Sequence, residues 1–126
     1  MVWKHILLVG MGGGLGSIAR FLCHKFINAW HPHPYPYGTF LVNISGCFII
    51  GILFGLMEKG SLLSNEWRLL LVTGFCGGFT TFSSFAAENI QLLKEGHVLY
   101  FLLYTAGSVV LGILATFLGI SVLKLL

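Results

Sequence analysis

The residues best suited to chemistry form one short cluster, Thr80-Thr81-Phe82-Ser83-Ser84-Phe85, within an otherwise apolar stretch. Phe82 and Phe85 are three residues apart, so in a helix they share one face. The edge of a phenyl ring carries partial positive charge and can meet an anion in the plane of the ring. Neighbouring hydroxyl and amide donors can replace part of the hydration shell of an ion. The cluster therefore favours a site for a small anion over simple core packing, which is the more common role of phenylalanines at this spacing.

Two polar residues in other apolar stretches fit the same chemistry. Asn43 brings two N–H donors into a segment where hydrocarbon offers them no partner. It either joins helices or donates to an anion. Arg20 stands near the end of the first apolar stretch, where its charge either draws anions into a vestibule or reaches the lipid headgroups. Glu88 lies either at a pore mouth or at the membrane interface.

Four long apolar stretches must position these residues. They span about residues 5–26, 38–57, 67–93 and 98–123, and each has roughly the 20 residues that a membrane-crossing helix needs. The chain of 126 residues is 56% hydrophobic and 9% charged, which excludes an ordinary soluble domain. The sequence predicts an all-α membrane protein, a single domain over residues 1–126 with four transmembrane helices.

The third stretch carries no charge from Leu69 to Ala87, yet its centre disfavours a helix. The Gly77-Gly78 pair costs about 1 kcal/mol per glycine relative to alanine. Thr80 and Thr81 are β-branched, and their hydroxyls can bond the backbone instead. Broken backbone at membrane depth is tolerated only where protein or a water-filled cavity surrounds it. We therefore expect a helix broken near its centre, with unwound carbonyls that could coordinate a cation.

The first stretch is rich in glycine. The pairs Gly10–Gly14 and Gly12–Gly16 have the spacing that lets membrane helices approach closely. Residues 14–19 also resemble a dinucleotide-binding turn, but the acidic residue required about 20 positions later is missing, because the first carboxylate of the chain is Glu58. An enzyme is therefore not expected. The formal charge of +3 is scattered without a basic block, which argues against nucleic acid as a partner.

Cysteine and histidine patterns give little support for a metal site. Cys23, Cys47 and Cys76 are too far apart in sequence for a metal-binding pair and are expected to pack as small apolar residues. His31 and His33 share the proline-rich connection after the first stretch without a third ligand nearby. We interpret them as part of a loop at the membrane interface.

Positive residues are almost equally divided between the two sides of the predicted protein. One side holds Lys4, Lys59, Arg68 and Lys124, and the other holds Arg20, Lys25 and Lys94. Lysine and arginine bias normally sets membrane orientation, so a single orientation is not enforced. Four short helices also cannot enclose a pore and seal it from lipid. We therefore expect a homo-oligomer with antiparallel partners and a pathway at or near the subunit interface.

Three motifs, in order across nearly the whole chain, resemble the Fluc (CrcB) family of bacterial fluoride channels. They are GGLGSIARF at residues 13–21, the segment from Gly38-Thr39 through Asn43 to Gly51, and the most specific one, GFCGGFTTFSSF at residues 74–85. The resemblance implies an antiparallel, dual-topology homodimer in the lipid of the bacterial plasma (inner) membrane. Its two pores, each built from both subunits, would export fluoride passively.

The resemblance also implies roles for individual residues. Main-chain carbonyls of Gly77 and Thr80 would hold a structural sodium ion on the two-fold axis. Phe82 and Phe85 would be the pore phenylalanines, and Asn43 the donor near the ion.

Arg20 would supply the vestibule charge. A polar track along the pore would contain Thr81, Ser84, Tyr104 and Ser108. The chain departs from common family residues at Ser17, Ser84, Ala86 and Gly112.

Two other transport classes remain open alternatives. A small multidrug exporter needs a carboxylate in its first span, where this chain has Arg20 and no acid. A proton-coupled fluoride antiporter would have to use Glu88 as its proton carrier. A purely structural membrane protein would explain the glycine pairs but not the cluster at residues 80–85.

Overall fold

The computed structural model describes residues 2–30, 32–60 and 64–126, and within these ranges every regular element is a helix. The elements are α1 (Val2–Trp30), α2 (Tyr37–Glu58), α3 (Asn65–Arg68), a π-helix (Leu69–Cys76), α4 (Gly77–Phe79), α5 (Phe82–Lys94) and α6 (Val98–Leu125). His31 lies outside the described residues.

Four segments are long and apolar enough to cross a membrane. They are Val2–Trp30, Tyr37–Glu58, Asn65–Lys94 and Val98–Leu125. The prediction of an all-α protein with four such segments is confirmed, and each segment extends beyond its predicted bounds. Most large apolar side chains on these helices are exposed, for example Phe21, Phe26 and Phe117, which suits a surface that faces lipid.

The third segment, Asn65–Lys94, is broken near its centre as expected, at the threonine pair but not at the glycine pair. Gly77 keeps helical dihedral angles (φ −63°, ψ −35°), and Gly77 to Phe79 form the short helix α4. The extended residues are Thr80 (φ −86°, ψ 156°) and Thr81 (φ −150°, ψ 121°). The expectation that Gly77-Gly78 would be unwound was therefore wrong, because the β-branched threonines with their competing hydroxyls supply the break.

Close backbone contact between α1 and the third segment explains several of the glycines. A Cβ at Gly12 would collide with the Leu70 carbonyl, and one at Gly16 would collide with the Phe75 carbonyl. Gly78 meets the Gly13 backbone in the same way. Gly10 and Gly14 have open space, so only one of the two predicted glycine pairs makes a helix contact.

Helices α2 and α6 form the other close pair. Gly51 faces the Thr116 carbonyl and Gly119 faces the Phe48 carbonyl, each too tightly for a side chain. The Thr116 hydroxyl donates to the Cys47 carbonyl across the interface at 3.1 Å. Small residues and one interhelical hydrogen bond thus fix α6 against the helix that carries Asn43.

Helix ends follow the sequence signals. The Ser64 hydroxyl caps α3 by accepting from the Trp67 N–H at 3.3 Å, and Gly96 ends the turn after α5 with φ +80°. In the connection before α2, His33 accepts the Tyr35 N–H through Nδ1 at 3.1 Å, and its ring packs on Tyr100.

Candidate functional site

A cavity of about 460 Å³ lies beside the break in the third segment. It is bounded by α2, the π-helix, α4, α5 and α6. Seven of the ten predicted site residues line it: Asn43, Gly77, Thr80, Thr81, Phe82, Phe85 and Ser108. Of the side chains that line it, none carries a charge.

Asn43 spans the break. Its Oδ1 accepts the Thr81 N–H at 2.9 Å, and its Nδ2 donates to the Thr81 carbonyl at 3.0 Å. The carboxamide thus satisfies both backbone groups of the most extended residue in the segment. Because an amide has two N–H donors, the second N–H of Asn43 remains for another partner in the cavity. The two roles considered for Asn43, helix joining and donation, are therefore compatible.

Thr81 is the N-cap of α5, the helix that follows the break. Its Oγ1 accepts the Ser84 N–H at 3.3 Å, which is a conventional N-cap. The Ser84 hydroxyl lies 3.3 Å from the same oxygen. The start of α5, where helix dipoles concentrate positive potential, is thereby directed at the cavity.

The hydrogen bonds across the break also release two carbonyls. In a continuous helix the Gly77 carbonyl would accept from the Thr81 N–H, and the Thr80 carbonyl would accept from the Ser84 N–H. Here Thr81 N–H is taken by Asn43, and Ser84 N–H by the Thr81 hydroxyl. Gly77 and Thr80 both line the cavity. Their carbonyls therefore fit a hard cation that prefers oxygen ligands.

The two predicted pore phenylalanines are adjacent but differently enclosed. The ring centroids of Phe82 and Phe85 are 5.7 Å apart at an interplanar angle of 41°. Phe85 also packs on Tyr104, with centroids 4.9 Å apart, whereas Phe82 is 78% exposed. A phenylalanine this exposed beside a cavity leaves one side of the site open to a neighbour.

Ser108 contributes the one buried side-chain polar atom without a hydrogen-bond partner among the described residues. Its Oγ is shielded from solvent, and Ser108 is one of the residues that line the cavity. A buried hydroxyl without a partner loses free energy, on the order of 1–3 kcal/mol, so it is expected to find a partner when the site is occupied.

A second polar group lies behind the cavity wall. The two Glu88 carboxylate oxygens accept from the Thr39 hydroxyl and the Tyr104 hydroxyl, each at 2.8 Å. Thr39 and Tyr104 are both 0% exposed. Thr39 was not predicted as a site residue, although it stands in the second of the three motifs and is a polar residue in the first turn of an apolar helix.

Three predicted site residues do not line the cavity. Tyr104 directs its hydroxyl to Glu88 and only its ring reaches Phe85. Ser84 lies one hydrogen bond away, beside Thr81. Arg20 is half-buried on α1, one turn after Gly16, and is not part of the wall.

Comparison with known proteins identifies the family of this chain. A family model described as "CrcB-like protein, Camphor Resistance (CrcB)" matches residues 7–120. The chain belongs to this family. The resemblance inferred from the three motifs is thereby confirmed.

Relatives in the CrcB family match over almost their full length. A protein of Flavobacterium psychrophilum is 46% identical over 121 residues, covering 96% of this chain and 98% of the relative. Proteins of Chlorobium phaeobacteroides (48% identical; 95% and 93% covered) and Gloeothece citriformis (50% identical; 94% and 96% covered) are similar to the same extent. All three are named "Fluoride-specific ion channel FluC".

Proposed function

We propose that this protein is a fluoride-selective ion channel, and not an enzyme, that lets fluoride leave the cytoplasm passively across the bacterial inner membrane. The observation that carries the proposal is the uncharged cavity at the helix break, which is lined by Phe82, Phe85 and Ser108, the last with a hydroxyl that has no hydrogen-bond partner. These groups can replace the water around a small anion without binding it too tightly to leave. The names of the three relatives support fluoride as that anion.

The proposed residue roles follow from position in this cavity. Asn43 donates its remaining N–H, Phe82 and Phe85 meet the ion with their ring edges, and Ser108 donates its hydroxyl. Thr81 and Ser84 extend the polar track at the start of α5. Tyr104 supports Phe85, and Arg20 acts outside the cavity as a vestibule charge.

The channel is proposed to be an antiparallel homodimer within membrane lipid. The cavity is open on the side where Phe82 is exposed, so one chain alone cannot separate an ion from lipid. The nearly equal distribution of lysine and arginine permits both orientations. Two copies related by a two-fold axis would close two such cavities.

A structural sodium ion is proposed at the centre of that dimer, held by the carbonyls of Gly77 and Thr80. The support is the diversion of their helical partners to Asn43 and Thr81. When bound, the ion would supply positive charge that fixes the broken backbone. We expect sodium to raise the melting temperature of the purified dimer above that in equimolar N-methylglucamine, because a ligand that binds only the folded state stabilises it. Equal melting temperatures in the two salts would contradict the sodium site.

The observations favour a channel over the alternatives. Both Glu88 oxygens are fixed by hydroxyl donors from two helices, which suits a carboxylate that stays in place rather than one that exchanges protons with each turnover. A small multidrug exporter would require an acidic residue in its first membrane span, and α1 carries none. Glu88 is therefore assigned a supporting role.

The test is fluoride efflux from liposomes that contain the purified protein. With potassium fluoride inside and valinomycin added, a fluoride electrode should record rapid efflux, while matched potassium chloride liposomes should lose little chloride. Absence of fluoride efflux, or equal efflux of both halides, would contradict the proposal.

A further inference from the structure

Tyr35 is a loop residue whose ring reaches the polar group behind the cavity. It lies in the connection between α1 and α2, and it is half-buried although Pro34 and Tyr37 beside it are exposed. The centroid of its ring is 5.6 Å from that of Tyr104 at an interplanar angle of 71°, which is an edge-to-face contact. The sequence placed this connection at the membrane interface and gave it no role in the ion pathway. In the structure the loop directly contacts a residue of the predicted polar track.

The backbone around Tyr35 holds its ring in place. The Tyr35 N–H donates to Nδ1 of His33 at 3.1 Å, and the Tyr35 carbonyl accepts the Tyr37 N–H at 2.8 Å. Pro36, between Tyr35 and Tyr37, has φ −80° and ψ 69°, the angles of an inverse γ-turn. A residue that precedes proline is also restricted to extended conformations. Both backbone hydrogen-bonding groups of Tyr35 are therefore used, and the ring projects from a stiff support.

Three rings from two helices surround the Tyr35 ring. Besides Tyr104, it makes edge-to-face contacts with Tyr100 of α6 at 5.9 Å and 90°, and with Phe40 of α2 at 5.8 Å and 75°. The Phe40 ring in turn lies 6.3 Å from the Tyr104 ring. Because aromatic pairs prefer particular mutual orientations, these contacts favour one orientation of the Tyr104 ring.

Tyr104 connects this cluster to the cavity. It is 0% exposed, its hydroxyl donates to Glu88 at 2.8 Å, and its ring packs on Phe85 with centroids 4.9 Å apart. The hydrogen bond fixes the hydroxyl oxygen, which lies on the rotation axis of the ring. Since χ2 of tyrosine is a soft torsion, the plane of the ring is set by the rings that touch it. Phe85 lines the cavity and lies 5.7 Å from Phe82, so ring contacts continue from Tyr35 to both pore phenylalanines.

We propose that Tyr35 is a positioning residue of the ion pathway. By packing on Tyr104 it sets the orientation of Phe85, whose ring edge meets fluoride in the proposed function on which this inference rests. Tyr35 acts through these rings and does not itself touch the ion, since it is not among the residues that line the cavity. A connection between two membrane helices thereby contributes to fluoride conduction.

The test is the fluoride current through single channels in a planar lipid bilayer, with equal sodium fluoride solutions on both sides and an applied voltage. This current reports conduction per channel, so it does not fall when a variant merely yields less folded protein. Tyr35→Leu removes the ring and should lower the current at least about twofold, the lower end of the effects of substitutions along a chain of packed side chains. Tyr35→Phe keeps the ring and should conduct at the wild-type level.

Tyr100→Leu is the matched control. It removes a ring of the same size from the same cluster. Within the described part of the chain, the Tyr100 ring contacts the rings of Tyr35, His33 and His97 but not that of Phe85 or Tyr104. We therefore expect its single-channel current to stay at the wild-type level.

The outcomes separate this inference from the channel itself. If the wild-type protein passes no fluoride current, the proposed function is wrong. If it conducts and Tyr35→Leu carries the same current, only the role of Tyr35 is wrong. An equal loss in Tyr35→Phe would assign the effect to the phenol hydroxyl, and an equal loss in Tyr100→Leu would assign it to general loosening of the cluster. Either result would overturn the inference, and so would a Tyr35→Leu protein that fails to assemble, because Tyr35 would then be needed for folding.

Discussion

Asn43 is the most informative single position in the structure, because one side chain both closes the helix break and faces the cavity. Asn43→Ala removes two hydrogen bonds to Thr81. One is accepted from the Thr81 N–H at 2.9 Å, and the other is donated to the Thr81 carbonyl at 3.0 Å. Thr81 is buried, so water cannot readily replace either bond. Each backbone group left without a partner costs about 1–3 kcal/mol, so the two together lower the free energy of unfolding by roughly 2–6 kcal/mol at most.

The matched control is Ser45→Ala on the same helix. The Ser45 hydroxyl donates to the Val42 carbonyl within α2 at 3.0 Å and does not line the cavity. Its loss leaves that carbonyl in its helical hydrogen bond, so we expect a change of about 1 kcal/mol or less. The comparison thereby separates loss of a polar atom from α2 from loss of the connection across the break.

Two assays on each variant test this reasoning. Melting temperature in detergent should fall clearly for Asn43→Ala and little for Ser45→Ala. Fluoride efflux from liposomes should be severely reduced for Asn43→Ala, because Thr81 caps the start of α5, which carries Phe82 and Phe85. If Asn43→Ala matches Ser45→Ala in both stability and flux, Asn43 does not organise the site as described.

Two further substitutions test the cavity wall and the helix contact. Phe82→Ile keeps apolar bulk but removes the ring edge, so fluoride efflux should be abolished while size-exclusion chromatography still detects the dimer; normal flux would refute a role for the ring edge. Gly12→Ala places a methyl group against the Leu70 carbonyl and should destabilise the protein by about 1–3 kcal/mol, whereas Gly14→Ala projects into open space and should be neutral or stabilising. Equal melting temperatures for these two variants would contradict the close contact between α1 and the third segment.

The sequence predicted what depends on local composition. Apolar length predicted the four helices, and the threonine pair with its glycine neighbours predicted a break in the third. Seven of the ten predicted site residues line one cavity. Most of these seven belong to the motif at residues 74–85, and their closeness in sequence made their closeness in space predictable.

The sequence could not predict what depends on contacts between distant residues. Thr39 and Glu88 are 49 residues apart, and neither carries a local signal of their hydrogen bond. Gly77-Gly78 was expected to unwind because glycine weakens an isolated helix. In the structure the pair stays helical, and the missing side chain of Gly78 lets it pack closely against the Gly13 backbone. The π-helix at Leu69–Cys76 has one glycine, Gly74, and no proline. Helix propensities therefore did not predict that this stretch would depart from an ordinary α-helix.

The central claim is that fluoride crosses passively and alone. It is tested most directly by the zero-current voltage of the reconstituted protein in a planar bilayer, with a tenfold fluoride gradient and equal pH on both sides. A fluoride-selective channel predicts a zero-current voltage of about 59 mV that is unchanged when a pH gradient or a chloride gradient is added. A voltage that shifts with the pH gradient would indicate proton coupling through a residue such as Glu88 and would contradict the account.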